Sequence, residues 1–144
     1  MKTSFTFAFV ALPIAVAAFF LSRVIWPDPA DTMMVPTSAQ LPFFIFLGIL
    51  EALAFGYGVA FLIFGWPHVR RIMGNDKMSA VLSFTTITWG LISWWPHDNI
   101  HRVNGMDMAG LLKIEYAFHF TLILSAAVLA YYFYKRVSQN AGTV

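Results

Sequence analysis

The stretch PFFIFLGILEALAFGYGVAFLIFG, residues 42–65, runs for 24 residues with a single charged side chain, Glu51. Crossing the hydrocarbon of a bilayer takes about 20 predominantly apolar residues at the 1.5 Å rise of an α-helix. A run of this length and purity reads as a membrane span. Further runs at about residues 5–25, 79–95 and 109–134 read the same way. The chain is therefore expected to be all-α, an integral membrane, up-down four-helix transmembrane bundle that forms one domain over residues 1–144.

Composition agrees with that reading. The 144 residues are 59% hydrophobic and 11% charged, against roughly 25% charged in an ordinary soluble domain, so a water-soluble fold is excluded. The formal charge of +2 is spread over helix ends rather than gathered in a stripe, so nucleic acid is not an expected partner. The lipid bilayer is. With no cysteine in the chain, disulfides, thiolate metal sites, iron–sulfur clusters and c-type haem attachment are all ruled out, and a metal would rely on His, Asp, Glu or Tyr.

The third span is the shortest. Its Thr85, Thr86 and Thr88 can return hydroxyl bonds to their own helix or a neighbour, which suits a face packed against protein. Three spans are expected to end on the same dipeptide, Trp26-Pro27, Trp66-Pro67 and Trp95-Pro96. An indole prefers the headgroup level, and proline removes a donor and clashes with the preceding turn.

Lys2, Arg70, Arg71, Lys77, Lys135 and Arg136 fall on one side of such a bundle, with Arg23, Arg102 and Lys113 on the other. The positive-inside rule then places both termini in the cytoplasm, in what is expected to be a bacterial inner membrane. The first outward loop, about Pro27 to Leu41, contains Pro27, Pro29 and Pro36 and is expected to lie extended across the mouth of the bundle. The tail, residues 137–144, is small and polar and is expected to fray.

The polar residues are distributed unevenly. Asp28, Asp31, Glu51, Asp98, Asp107 and Glu115, with His97, His101 and His119, all belong to the outward half, leaving only His68 and Asp76 inward. Glu51 and His119 each lie roughly 14–15 Å into their spans, so the two can be level. Glu115 and His119 are four apart and share a helix face. An ionisable group at such depth is costly unless it is neutral, paired or facing water, which makes it a functional candidate. Ala52, Ala54, Gly56 and Gly58 follow Glu51 and would let another helix approach, turning that carboxyl toward protein.

His97 and His101 would also share a face if the segment after Pro96 makes a helical turn. The expected site is thus an outward-facing cluster with His97, His101, Glu115 and His119 as metal ligands, and with Glu51 and Glu115 as candidate catalytic bases. Nitrogen and oxygen donors of this kind suit Zn, Cu(II) or Fe(II), and the chemistry open to them is a redox or hydrolytic reaction on a lipid-soluble or periplasmic substrate. A bis-histidine haem across two spans is disfavoured because His119 is the only deep histidine, which leaves as the lesser haem alternative a high-lying one between His119 and His97 or His101. Two other classes remain open. One is a non-catalytic accessory subunit, or a homo-oligomer, within a larger membrane assembly. The other is a proton- or quinone-coupled redox component in which Glu51, Glu115 and His119 form a relay.

Overall fold

The computed structural model of the chain describes the backbone of residues 2–28, 36–105 and 107–141 and the side chains of 6–28, 36–105 and 107–134. Every element among the described residues is helical: α1 (Lys2–Ile25), α2 (Leu41–Met73), α3 (Lys77–Ile92), α4 (Trp94–Asn104), α5 (Met108–Ile114), a π-helical turn (Glu115–Phe120) and α6 (Thr121–Ala141). Three segments, Thr6–Ile25, Leu41–Met73 and Met108–Tyr134, are long and apolar enough to cross a membrane. The third expected span is a 16-residue helix, α3, shorter than these.

The long helices pack as a row, α1 against α2, α2 against α3, and α3 against α6. Small residues set the α1–α2 contact. Ala11, Ala15 and Ala18 meet Ala52, Gly56 and Ala60, and all six are buried. A Cβ on Gly56 would stand 2.3 Å from the Ala11 carbonyl oxygen, so the two backbones approach as closely as helices do when no side chain separates them. Gly58 serves the opposite face of α2, where a Cβ would meet Ile92 at 2.6 Å. Thus α2 is flanked on both sides by close neighbours. The pairs Phe7–Phe64 and Phe61–Phe84 continue these seams, which run antiparallel. Outside them, side chains such as Phe43, Phe46, Ile63 and Leu82 remain exposed, as expected of surfaces that face lipid instead of a hydrophobic core.

The ends of the helices differ from the sequence reading in several places. α1 does stop at Ile25, before Trp26-Pro27. α2 instead runs through Pro67 to Met73. Proline forfeits one donor and leaves one carbonyl without its helical partner, which is tolerable near the end of a crossing where water reaches the backbone. At the third dipeptide the chain breaks at Ser93 and Pro96 lies in the first turn of a new helix, α4, a position where its missing N–H has no helical acceptor anyway. Trp95 is not interfacial but buried, its ring 4.7 Å from that of Trp26 and 4.6 Å from that of Phe55. The backbone of α6 extends to Ala141, into the tail expected to fray. The cover expected of the first loop falls mainly on residues 29–35, outside the described residues.

Candidate metal centre

α4 carries the site on one of its two faces. At about 100° per residue, Trp95, Asn99 and Arg102 fall within one narrow arc, and His97 and His101 lie on the opposite side. Pro96 lies in the first turn of the helix and Gly105 ends it with φ of 53°, so the helical turn needed to align the two histidines does form. Their rings are 4.6 Å apart, nearly perpendicular.

His119 reaches the same point from the other helix. It lies in the π-helical turn Glu115–Phe120, between α5 and α6. Such a turn adds a residue to the helix and rotates the helix beyond it by about 100°. The rotation lets His119 face α4 while Thr121, two residues on, faces α3. There Trp89 Nε1 donates to Thr121 Oγ1 at 2.9 Å, Trp89 stacks on Phe118, and the Thr121 hydroxyl returns to the Ala117 carbonyl at 2.6 Å. One end of the π turn is thus held on α3 by its neighbours.

The three histidines converge. His97 Nε2 and His119 Nε2 are 2.7 Å apart, the His101 and His119 rings stack at 5.7 Å, and one nitrogen from each residue lies within 4.8 Å of the others. Bond lengths of 2.0–2.1 Å in tetrahedral geometry would put such nitrogens about 3.3 Å apart, inside that spread. Behind His119 stands Glu115, whose carboxylate oxygen Oε2 is bonded to His119 Nδ1. Since the carboxylate can only accept, Nδ1 carries a proton, and Nε2 is the nitrogen that faces the other histidines. One proton lies along the Nε2–Nε2 contact, in the place a cation would take.

His97 is suited to ligation. Burial, with the neighbouring His101 and His119 adding to it and Glu115 opposing, pushes its imidazole from the ordinary 6.5 down to about 4. It is therefore neutral at physiological pH, the form that binds metals.

Of the expected ligands, His97, His101 and His119 come together. Glu115 supports His119 from behind. Glu51 does not join them: it is half-buried on α2, has no hydrogen-bonding partner among the described residues, and the charge acting on it is Asp98 of α4. The expected Glu51–Glu115–His119 relay therefore lacks its first contact. Arg23 pairs with Asp28 rather than with Glu115.

The sequence reading missed a second polar cluster on the other face of α4. Asn99, 3% exposed, accepts from Ser22 Oγ and from Arg102 Nη2 at 2.7 Å, and donates to the Trp95 carbonyl at 2.7 Å. Arg102 also donates to Asp28 and, at 3.2 Å, to the Trp26 carbonyl. The i, i+4, i+7 spacing of Trp95, Asn99 and Arg102 is the signal that was present in the sequence.

The chain matches no protein-family model, and neither a curated protein nor a solved structure is similar to it. The functional reading accordingly rests on the site's own chemistry.

Proposed function

We propose that the chain is a four-crossing membrane protein whose outward end holds a divalent transition metal between His97, His101 and His119, with Glu115 fixing the tautomer of His119. The observation that carries this is the convergence of three imidazole nitrogens, brought from two separate helices, on one point. Three neutral nitrogen donors with a carboxylate behind one of them suit Zn, Cu(II) or Fe(II). They also leave a fourth position open for water or a substrate oxygen, the pattern of catalytic rather than purely structural sites. Bound there, the metal would supply Lewis acidity or a redox couple. The protein's part is to hold the three rings and, through Glu115, to keep the His119 lone pair directed at the ion.

α3, though short, lies alongside α2 and α6 in the row and counts as the fourth crossing. Arg70, Arg71 and Lys77 at the α2–α3 turn support a cytoplasmic position for that end and for both termini, in a bacterial inner membrane.

A second reading, an accessory subunit of a larger membrane complex, is favoured by the bareness of the last long helix. Only 6% of its apolar window is buried within this chain, against 22% for α2. Obligate co-purification of other chains would support it.

The test is metal analysis of detergent-purified protein with a Co(II) titration followed by its visible spectrum. About one equivalent of Co(II) in tetrahedral-type coordination is expected, with affinity lost by at least about 100-fold in His119→Ala. Protein that takes up no Co(II), Zn(II) or Cu(II) overturns the metal centre.

A further inference from the structure

We propose that Arg102, acting with Asp28 and Asn99, is the positioning residue of the histidine centre: it fixes the rotation of α4 so that His97 and His101 face His119. This rests on the metal centre proposed above, and deepens it.

α4 is 11 residues long and begins one residue after α3 ends, so nothing in its own length fixes how it is turned. Its rotation decides the site. A one-residue change of phase, about 100°, would carry His97 and His101 away from His119. On the site face the polar contact that joins α4 to the opposing helix is His97 with His119, and a lone hydrogen bond between imidazoles is a weak restraint.

The restraint comes from the other face. Arg102 spends its planar fork on three acceptors at once: the Asp28 carboxylate, the Trp26 carbonyl and the Asn99 side chain. Two of the three belong to the chain just beyond α1. Asn99, almost fully buried, is tied to Ser22 of α1 and back to Trp95, and Trp95 packs edge-on against Trp26. Three side chains on one face of a short helix, each bonded or packed to the end of α1, hold it against turning, together with the packing of Trp95 on Phe55 of α2. Arg102 is 22% exposed at its side chain, whereas Arg23, which shares Asp28 from the α1 side, is 60% exposed and makes no bond to α4. The two arginines therefore separate charge from position.

The arrangement also links the two edges of the row. α1 stands at one edge and α6 at the other, and α4 grips the end of the first with Trp95, Asn99 and Arg102 while offering its histidines to the π-helical turn that leads into the second. Positioning of this kind is worth about 10–100-fold in metal affinity at sites where outer groups orient the ligands.

The experiment compares Arg102→Met, Arg102→Lys and Arg23→Met in purified full-length protein with two readouts. The first is Co(II) affinity. Removing a cation near a metal site tightens binding if Coulomb repulsion is what matters. Positioning predicts the opposite sign: a loss of about ten-fold or more in Arg102→Met, with a smaller loss in Arg102→Lys and none in Arg23→Met. The second needs no metal. Because the chain has no cysteine, a His97→Cys, His119→Cys double variant can be bridged by a short bifunctional thiol reagent well below the melting temperature, and Arg102→Met in that background is expected to cut the yield several-fold.

Unchanged or tighter Co(II) binding in Arg102→Met overturns the proposal, as does an unchanged bridging yield, which would show α4 still correctly turned. Wild-type protein that fails to bind Co(II) while its bridging yield still depends on Arg102 keeps the positioning role and sinks only the metal. If Arg102→Met does not fold, Arg102→Lys, which retains the charge but not the fork, supplies both readouts.

Discussion

The α1–α2 seam and the α4–His119 contact are two ways of joining helices, and they differ in nearly every respect. The first is built of alanine and glycine, with Gly56 against the Ala11 backbone and Phe7 against Phe64 farther along. The second is built of three imidazoles and a carboxylate, half-buried at best, where the chain is otherwise thinly packed. In a bilayer, apolar side chains gain little by leaving lipid, so close backbone approach is what holds a seam that does nothing else. A contact assembled from ionisable groups forgoes that economy of packing. It makes physical sense when something other than the helices occupies it.

The sharpest way to break the comparison is to crowd the dry seam. A Cβ at residue 56 is already 2.3 Å from the Ala11 carbonyl oxygen and 3.0 Å from the Ala15 Cβ, and backbone on a facing helix has nowhere to move. Gly56→Leu is expected to force α1 from α2 and abolish a monodisperse, folded species on size-exclusion chromatography, a cost at or above the roughly 1–3 kcal/mol of ordinary overpacking. His97→Ala should leave the same elution profile intact. If Gly56→Leu is tolerated, the seam is not what orders the row.

The complementary change is Glu115→Gln. The amide keeps the shape but can present an N–H to His119, so the tautomer is no longer fixed with Nε2 free. Co(II) affinity is expected to drop about 10–100-fold, as for other carboxylates that orient a ligating imidazole. The melting midpoint of the metal-free protein should barely move, because Glu115 is more than half exposed and an exposed pair contributes little to stability.

Protonation separates the two regions again, since the dry seam has nothing to titrate. The fold holds His97 down at about 4 from 6.5, so the unfolded chain takes up a proton between those values before the folded one does. The stability contribution is whole above pH 6.5 and drains away as pH falls toward 4. The His97 part of the melting temperature of metal-free protein, read as the difference between wild type and a His97 variant, should therefore be constant from pH 8 to 6.5 and fall progressively below it. His97→Gln should flatten the part of that slope it causes. A slope unaltered in His97→Gln would place the titrating group elsewhere.

These contrasts also mark what could be read from the sequence. Length and apolarity revealed the long helices, and the small residues after Glu51 revealed that α2 would be closely approached, because both are properties of a single strip of chain. His97, His101, Glu115 and His119 were legible for the same reason: i, i+4 spacing within each pair and a shared place in the outward half of the chain. Proline rules failed at Pro67, where a local penalty was small beside the cohesion of a 33-residue helix. Trp95 was misplaced because an indole buried against Trp26 and Phe55 has the same sequence signature as one at the interface. Glu51 was joined to the wrong partners, since helix order in the row, which decides what it faces, is a tertiary fact. Arg102 was read as a topology charge, and its role depends on where the end of α1 happens to stand.

The π-helical turn was invisible for a related reason, and it provides the finest test. Nothing in Glu-Tyr-Ala-Phe-His-Phe dictates an added residue per turn. The demand comes from two sides at once, with His119 drawn to α4 and Thr121 drawn to Trp89 of α3. Thr121→Val removes the acceptor for Trp89 Nε1 while keeping shape, and Trp89→Phe removes the donor while keeping a ring for Phe118 to meet. Each single change is expected to cost about 0.5–1.5 kcal/mol in a thermal or denaturant melt, and a double-mutant cycle should give a coupling near the roughly 0.6 kcal/mol average of interhelical hydrogen bonds in membranes. The informative quantity is Co(II) affinity in Thr121→Val. If it falls along with stability, the bond to α3 helps aim His119, and the turn is strained between two anchors. If stability falls while affinity holds, the histidine centre alone keeps the turn open, and the polar contact is self-sufficient where the dry seam is not.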